Sequence, residues 1–166
     1  MTLVEKLVQI AFEEIGTTEV GNTNCGPRVN QYKAATTLQS TVPWPWCAAF
    51  VCWVIRESMR ILGEVETKTF KRPRTASAFD FINWSLAQDN TTTTVNRCIN
   101  RKSIASGDIV IFKFSHIGIA SSACDDNGNF STIEGNTDKA GSREGGGVYA
   151  KTRNVSSVKA RIRFTV

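Results

Sequence analysis

The sequence predicts an α+β fold in which N-terminal helices pack on a C-terminal antiparallel sheet. Apolar residues recur at helical spacing through the first half of the chain. After Gly107 the pattern changes to short runs of β-branched and aromatic residues, separated by turn residues. Helices followed by strands, instead of alternating with them, are typical of α+β proteins. The 166 residues carry no repeat and no linker, so we expect one domain over 1–166.

Four helices are expected in the first half of the chain. They cover residues 2–15, 27–35, 46–63 and 75–88. Gly16 and Gly63 follow the first and third helices in the manner of glycine caps, and Pro27 opens the second. The polar segment 90–103 is expected to be irregular.

Five strands are expected in the second half. They cover residues 108–114, 116–122, 129–135, 147–153 and 158–166. The segment Asp-Asp-Asn-Gly-Asn at 125–129 is a hairpin signal between the second and third strands. It does not fit a calcium loop, because its glycine stands at the fourth position instead of the sixth.

Composition limits the possible partners. The net charge of +5 favours an anionic partner, but the basic residues are scattered, so we expect no nucleic-acid binding. No apolar run approaches 18 residues, which argues against stable membrane insertion. The first residues lack a basic start, an apolar stretch and a cleavage site. We therefore expect synthesis in the cytoplasm without a signal peptide.

Position distinguishes Cys47 from the other four cysteines. It lies in the first turn of the third predicted helix, where free backbone N–H groups and the helix dipole favour a thiolate, the reactive form. Cys52 lies inside the same apolar helix, where burial keeps a thiol inert. No Cys-x-x-Cys pair exists, which argues against a structural zinc site. We expect neither a metal nor a cofactor. The alternative for Cys47 is a packed thiol without a chemical role.

His116 is the only histidine, so any imidazole chemistry depends on it. On a strand it shares a face with the small residues Gly118 and Ala120, whereas Ile117 and Ile119 point into the apolar layer. The small-residue face leaves room for a bulky neighbour such as the end of a helix. The alternative is a histidine at a strand edge that binds only water.

Glu134 and Asn136 are the candidates for holding the imidazole. A histidine used as a general base needs an acceptor at its other nitrogen, which fixes tautomer and orientation. Glu134 and Asn136 are two apart, so they are expected to share a face at the end of their strand. Either side chain has the required acceptor oxygen, and a solvated strand end is the alternative for Glu134.

The hairpin between the two strands decides whether Glu134 reaches the histidine. A two-residue turn at 127–128 places Glu134 opposite Ser121, too far away at about 3.4 Å per residue. A longer loop over 123–128 places it opposite Ile117 and close to the histidine. Contact therefore requires the longer loop or a bulge.

Several motifs in this order resemble the CHAP amidase/peptidase family. They are Pro-Trp-Cys-Ala-Ala-Phe-Val at 45–51, Ser-His-Ile-Gly-Ile at 115–119 and Thr-Ile-Glu-Gly-Asn-Thr at 132–137. The segments at 21–32 and 141–153 resemble the phage endolysin branch, and the resemblance extends over roughly 10–165. CHAP domains are related to NlpC/P60 enzymes and share a papain-like fold, which the resemblance implies for this chain.

The resemblance also implies roles. Cys47 corresponds to the nucleophile, His116 to the general base and acid, Glu134 to the acidic triad member and Asn136 to a supporting polar residue. Family members hydrolyse amide bonds of bacterial peptidoglycan through a thioester. A monomeric cysteine amidase or endopeptidase that acts on the cell wall after release is therefore expected, as in a phage endolysin.

Three alternatives stay open. They are a secreted antibacterial effector, a papain-fold protease or deamidase acting on a protein, and a non-catalytic wall-binding module. Trp44 and Trp46 flank the nucleophile and are expected either to line the substrate groove or to pack the loop.

Overall fold

The computed structural model describes residues 1–95 and 103–165, and it confirms the predicted α+β fold. The helices in these residues are α1 Leu3–Glu13, α2 Pro27–Lys33, α3 Cys47–Leu62 and α4 Asp80–Leu86. The strands are β1 Thr91–Val95, β2 Ile109–Phe112, β3 His116–Ala120, β4 Asn129–Thr137, β5 Gly147–Asn154 and β6 Val158–Phe164. They form a sheet of order β1-β6-β2-β3-β4-β5 in which every neighbouring pair is antiparallel.

Helix α3 is the centre of the core. It packs against α1 and α2 on one side and against β3 and β4 on the other. The sheet presents an isoleucine-rich face to it: Ile109, Ile111, Ile117, Ile119, Ile133 and Ile162 are all buried in the same cluster. Because α3 is buried along most of its length, its first residue has a fixed position relative to the ends of β3 and β4.

The opposite face of the sheet holds a smaller apolar cluster. Its buried members are Ile104, Val110, Phe112, Ala120, Phe130 and Val158. His116 lies opposite Phe112 in the β2–β3 ladder, so it belongs to this second face. The sheet is thus buried on both sides in the region of the histidine.

Local signals account for the helix ends. A capping box joins Thr2 and Glu5 at the start of α1. Gly63 ends α3 at φ 71°, a left-handed conformation that glycine adopts without strain. The expectation for Gly63 is therefore confirmed, whereas α1 and α2 each end two residues earlier than expected.

The expectation that 90–103 is irregular is wrong for its first part. Thr91–Val95 form β1, which pairs with β6 from Thr91 opposite Phe164 to Val95 opposite Ala160. Threonine is β-branched and suits a half-exposed edge strand, but the polar sequence has no apolar alternation to predict one. Residues 96–102 lie outside the described residues.

The helix expected over 75–88 is shorter than predicted, since α4 covers only Asp80–Leu86. The Thr75 hydroxyl accepts a hydrogen bond from the Ser77 backbone N–H at 3.0 Å and donates to Asp80 Oδ2 at 3.3 Å. Such local side-chain bonds compete with helix formation. The residues before α4 instead form part of a cleft wall.

In the described part of the chain no helix is long and apolar enough to cross a membrane.

Gly135 permits the close approach of β4 to α3, and this gives a test of the packing. A Cβ at Gly135 would lie 2.7 Å from Phe50 Cβ and 2.9 Å from Trp46 Cζ3. We expect Gly135→Ala to lower the free energy of unfolding by about 1–3 kcal/mol through overpacking. Urea denaturation monitored by circular dichroism measures the change.

Gly146→Ala is the matched control. A Cβ there would meet Glu19 side-chain atoms from 3.3 Å outward, and a flexible side chain can yield. The control should lose less stability than Gly135→Ala. Equal losses would contradict the tight contact between β4 and α3.

Candidate active site

Cys47 is the first residue of α3. Its side chain lies at the positive end of the helix, and the residue is 7% exposed. Cys52 is fully buried one turn further, and its thiol donates to the Thr75 carbonyl oxygen at 3.4 Å. Burial raises the pKa of the Cys52 thiol to about 12, so this thiol stays protonated. The two cysteines of one helix thus have different surroundings, one at the helix start and the other enclosed in the core.

His116 is the first residue of β3 and is fully buried. Its Nε2 lies 2.9 Å from Glu134 Oε1. Burial lowers the pKa of His116, but hydrogen bonding to Cys47 and Glu134 and the negative charges of both raise it to about 9. The imidazole therefore links the helix start to the carboxylate.

Glu134 lies in β4 with its side chain fully buried, and each of its oxygens has two partners. Oε1 is 2.9 Å from His116 Nε2 and 2.5 Å from Arg153 Nη2. Oε2 accepts from Arg153 Nε at 2.8 Å and from the Thr132 hydroxyl at 2.5 Å. Burial raises the pKa of Glu134, but the bonds from Arg153 and His116 outweigh it and lower the pKa to about 2. Glu134 is therefore a carboxylate at neutral pH.

The register of β3 and β4 differs by one residue from the longer-loop alternative. Ile119 lies opposite Ile133, so the same register places Glu134 beside Gly118 instead of Ile117. This shift matters because residues one apart point to opposite faces, and only Gly118 shares the face of His116. A Cβ at Gly118 would lie 2.6 Å from Glu134 Cγ. The small-residue face therefore accommodates the glutamate and not the end of a helix.

The connection between β3 and β4 is an irregular hairpin. Ser121 N–H donates to the Ser131 carbonyl, whereas the next pair outward joins Asp125 N–H to the Asn129 carbonyl. The segment that follows β3 thus has more residues between these two hydrogen bonds than β4 has. The Asp125 carboxylate accepts from the Asn127 and Asn129 backbone N–H groups at 2.9 Å, which fits a plain turn.

Asn136 does not share the face of Glu134, contrary to the expectation. The β4–β5 register shifts between Glu134 and Thr137, and Asn136 has φ 56°. Its Oδ1 accepts the Trp46 backbone N–H at 2.7 Å, and its Nδ2 donates to the Gly145 carbonyl at 2.6 Å. Asn136 thus fixes the residue before Cys47, while Glu134 alone of the two contacts the imidazole.

The two tryptophans have different surroundings. Trp44 is half-buried, lines the cleft beside Cys47 and donates from Nε1 to the Gln39 carbonyl at 2.8 Å. Trp46 is fully buried and donates from Nε1 to Glu19 Oε2 at 3.0 Å. Trp44 therefore lines the cleft in which the substrate-groove expectation would place it, whereas Trp46 packs in the core.

Cys47 opens into a cleft of about 260 Å³. The lining residues are Leu38, Trp44, Pro45, Cys47, Ala76, Ser77, Ala78, Ser115 and Arg143. A further cleft of about 480 Å³ shares Leu38, Ala76 and Ser77 with it. The two clefts therefore adjoin, and the smaller one is lined by Cys47.

Sequence reasoning missed two groups of the site, the guanidinium of Arg153 and the hydroxyl of Thr132. Arg153 lies on β5 opposite Phe130, so its contact with Glu134 depends on side-chain reach across the sheet. No spacing in the sequence reveals that diagonal contact. No group of three His, Cys, Asp or Glu side chains within 1–95 and 103–165 is placed to hold a metal ion.

The arrangement has the parts needed for nucleophilic catalysis. A thiol lies at a helix start, the pKa of a buried imidazole is raised by interaction with it, and a carboxylate lies 2.9 Å from that imidazole. In this geometry a proton can pass from sulfur to nitrogen, and the carboxylate stabilises the imidazolium.

Comparison with known proteins supports the fold. The chain is similar to the solved structure of a wild-type endolysin, LysIME-EF1, with a TM-score of 0.61 and 16% sequence identity. The match covers 99% of this chain and 65% of the endolysin, so this chain spans about two thirds of that protein's length. No protein-family model matches the sequence, and neither does any curated protein.

The link between Cys47 and His116 can be tested by titration. Because the chain has one histidine, its ring Hε1 gives a single NMR resonance. We expect it to titrate near the pKa of about 9 in the wild type and clearly lower in Cys47→Ala, which removes the largest raising cause.

Cys52→Ala is the control, since Cys52 lies in the same helix but contacts the Thr75 carbonyl instead. It should leave the titration of His116 unchanged. A wild-type pKa near 6.5, or one that Cys47→Ala does not move, would contradict the contact.

Proposed function

We propose that this protein is a cysteine-dependent peptidoglycan hydrolase that cleaves an amide bond of the bacterial cell wall. The observation that carries the proposal is the approach of His116 Nε2 to Glu134 Oε1 at 2.9 Å, together with the effect of Cys47 on the pKa of His116 and the cleft that Cys47 lines. Its fold likeness to an endolysin and the resemblance of its motifs to CHAP domains support the cell wall as the substrate. CHAP amidases and peptidases use the same residue types in the same order.

Cys47 is the nucleophile in this proposal. His116 accepts the thiol proton, and the resulting imidazolium is stabilised by the Glu134 carboxylate at 2.9 Å. The thiolate attacks the carbonyl carbon of the amide, and a tetrahedral intermediate forms. The backbone N–H of Cys47 is among the groups that a helix start leaves without an intrahelical partner. It is a suitable donor to the developing oxyanion.

His116 then acts as the acid. It gives its proton to the leaving amine as the C–N bond breaks, and the acyl group stays on Cys47 as a thioester. Water, deprotonated by His116, attacks the thioester and releases the carboxylic acid and the free thiol. Asn136 contributes by fixing the backbone before Cys47, since it holds the Trp46 N–H at 2.7 Å.

The cellular setting of the proposal is that of a phage endolysin. The chain is made in the cytoplasm, acts on the wall after release and works as a monomer. Trp44 lines the cleft next to Cys47 and offers a ring for contact with the glycan or peptide. Arg143 is the charged lining residue of the same cleft and favours an anionic group on the substrate.

Removal of the nucleophile tests the chemistry. We expect Cys47→Ala to lower the rate of lysis of purified peptidoglycan by at least about a thousandfold, because covalent catalysis is lost. Circular dichroism should show an unchanged fold. Mass analysis of wild-type products identifies the bond and separates an amidase from an endopeptidase.

Cys52→Ala is the control and should keep lytic activity, since its thiol lies away from the imidazole. Full activity of Cys47→Ala would refute the proposal. Binding of the wild type to peptidoglycan without any product would favour the wall-binding module. Action on proteins alone would favour the remaining alternative, with chain cleavage indicating a protease and loss of a side-chain amide indicating a deamidase.

A further inference from the structure

Arg153 contacts Glu134 from β5, whereas His116 contacts it from β3. Its guanidinium approaches both carboxylate oxygens, with Nε 2.8 Å from Oε2 and Nη2 2.5 Å from Oε1. Two parallel N–H donors on one carboxylate form a bidentate pair, the geometry that fixes both direction and plane. The plane of the Glu134 carboxylate is thus set by an arginine.

The arginine itself is tightly held. Nη2 also donates to the Gly141 carbonyl at 3.0 Å. Its guanidinium carbon lies 5.1 Å from the Phe112 ring centre and 5.2 Å from that of Phe114. The His116 ring stacks on the same two phenylalanines, at 6.1 and 5.9 Å. Guanidinium and imidazole therefore share one carboxylate and one aromatic support.

The charges of the four side chains in this series alternate in sign. In the reactive state, the Cys47 thiolate, the His116 imidazolium, the Glu134 carboxylate and the Arg153 guanidinium form two pairs of opposite sign. A buried carboxylate needs compensation, because an unpaired charge is costly in a medium of low dielectric. The imidazole is neutral during part of the proposed cycle. Among the described residues, Arg153 is the partner that keeps a permanent positive charge beside the Glu134 carboxylate.

The other groups that face Glu134 cannot replace the arginine. Thr132 donates a neutral hydrogen bond to Oε2. Tyr149 lies opposite Glu134 on β5. The Lys151 ammonium donates to the carbonyl oxygens of Asp138, at 3.0 Å, and Lys139. Of these groups only Arg153 brings a cation into contact with the carboxylate.

We propose that Arg153 is a positioning residue of this site, which keeps Glu134 ionised and oriented so that the carboxylate holds the His116 ring toward Cys47. This inference rests on the proposed hydrolase function. Arg153 does not act on the substrate itself; it acts through the glutamate.

The first test compares Arg153→Met and Arg153→Lys in peptidoglycan hydrolysis. For Arg153→Met we expect kcat to fall by about 10- to 100-fold, as when a hydrogen-bond partner that orients a metal-bound imidazole is removed. KM should change little. The acid limb of the pH–rate profile should move up by about one pH unit, since Glu134 then protonates more readily. Arg153→Lys keeps a positive charge but loses the bidentate pair of N–H donors, so its effect should be smaller than that of Arg153→Met.

The second test does not depend on the substrate. Alkylation of Cys47 by iodoacetamide, followed by peptide mass analysis across pH, reports the population of the thiolate. The acid limb of the alkylation rate should move to higher pH in Arg153→Met, as the acid limb of the hydrolysis profile does. If the wild type alkylates normally but hydrolyses no peptidoglycan, the proposed function fails while this inference is still tested.

Arg163→Met is the matched control. Arg163 makes a similar bidentate pair with buried Asp108, at 2.7 and 2.8 Å, away from the candidate site. This variant loses a comparable ion pair, so it controls for a purely structural effect. It should leave the pH dependence of hydrolysis and of alkylation unchanged.

The Glu134→Gln background makes the inference falsifiable even if Arg153→Met folds poorly. Glutamine carries no charge to compensate, so Arg153→Met should have little further effect on the pH dependence there. An equally large effect in both backgrounds would overturn the inference. So would an unchanged acid limb in a folded Arg153→Met, or a shift of the same size in Arg163→Met.

Discussion

A fully buried carboxylate, Glu134, is the constraint around which the candidate site is organised. Such a group is tolerated only where donors and positive charge surround it. Arg153 and Thr132 supply hydrogen-bond donors, and His116 contacts the same carboxylate. Strands β3, β4 and β5 must therefore pair in the correct register at the same time. The sheet register is therefore also an electrostatic requirement, since a slip of one residue would turn the carboxylate to the other face.

Two features of the backbone make this arrangement possible. Gly118 leaves the space that Glu134 occupies, and Gly135 lets β4 approach Phe50 on α3. The irregularity after Glu134 then turns Asn136 away from the carboxylate and toward the residue before Cys47. Strand β4 thus positions the carboxylate with one residue and the helix start with another, which ties the two halves of the fold together.

Chemical character in this site follows from environment and not from residue type. Cys47 and Cys52 belong to one helix, yet one lies at its positive end beside an imidazole and the other is enclosed in the core. Burial raises the pKa of the Cys52 thiol to about 12 and lowers that of an isolated histidine. In His116 the effect of burial is outweighed by interaction with Cys47 and Glu134, which raises the pKa of the ring to about 9.

The sequence by itself determined the α+β order and the place of Cys47 in the first turn of a helix, and it offered His116 as the one histidine, because periodicity, caps and residue counts can be read along the chain. It did not determine β1, whose threonines become a strand only through pairing with β6. Strand spacing alone did not choose between Glu134 and Asn136 as the partner of the imidazole, although the resemblance of the motifs gave the acidic role to Glu134. The tertiary structure places Glu134 at 2.9 Å from His116, turns Asn136 away through the register shift after Glu134, and alone brings Arg153 to the carboxylate. Contacts across a sheet depend on which strands pair and in which register, and no spacing along one chain segment encodes them.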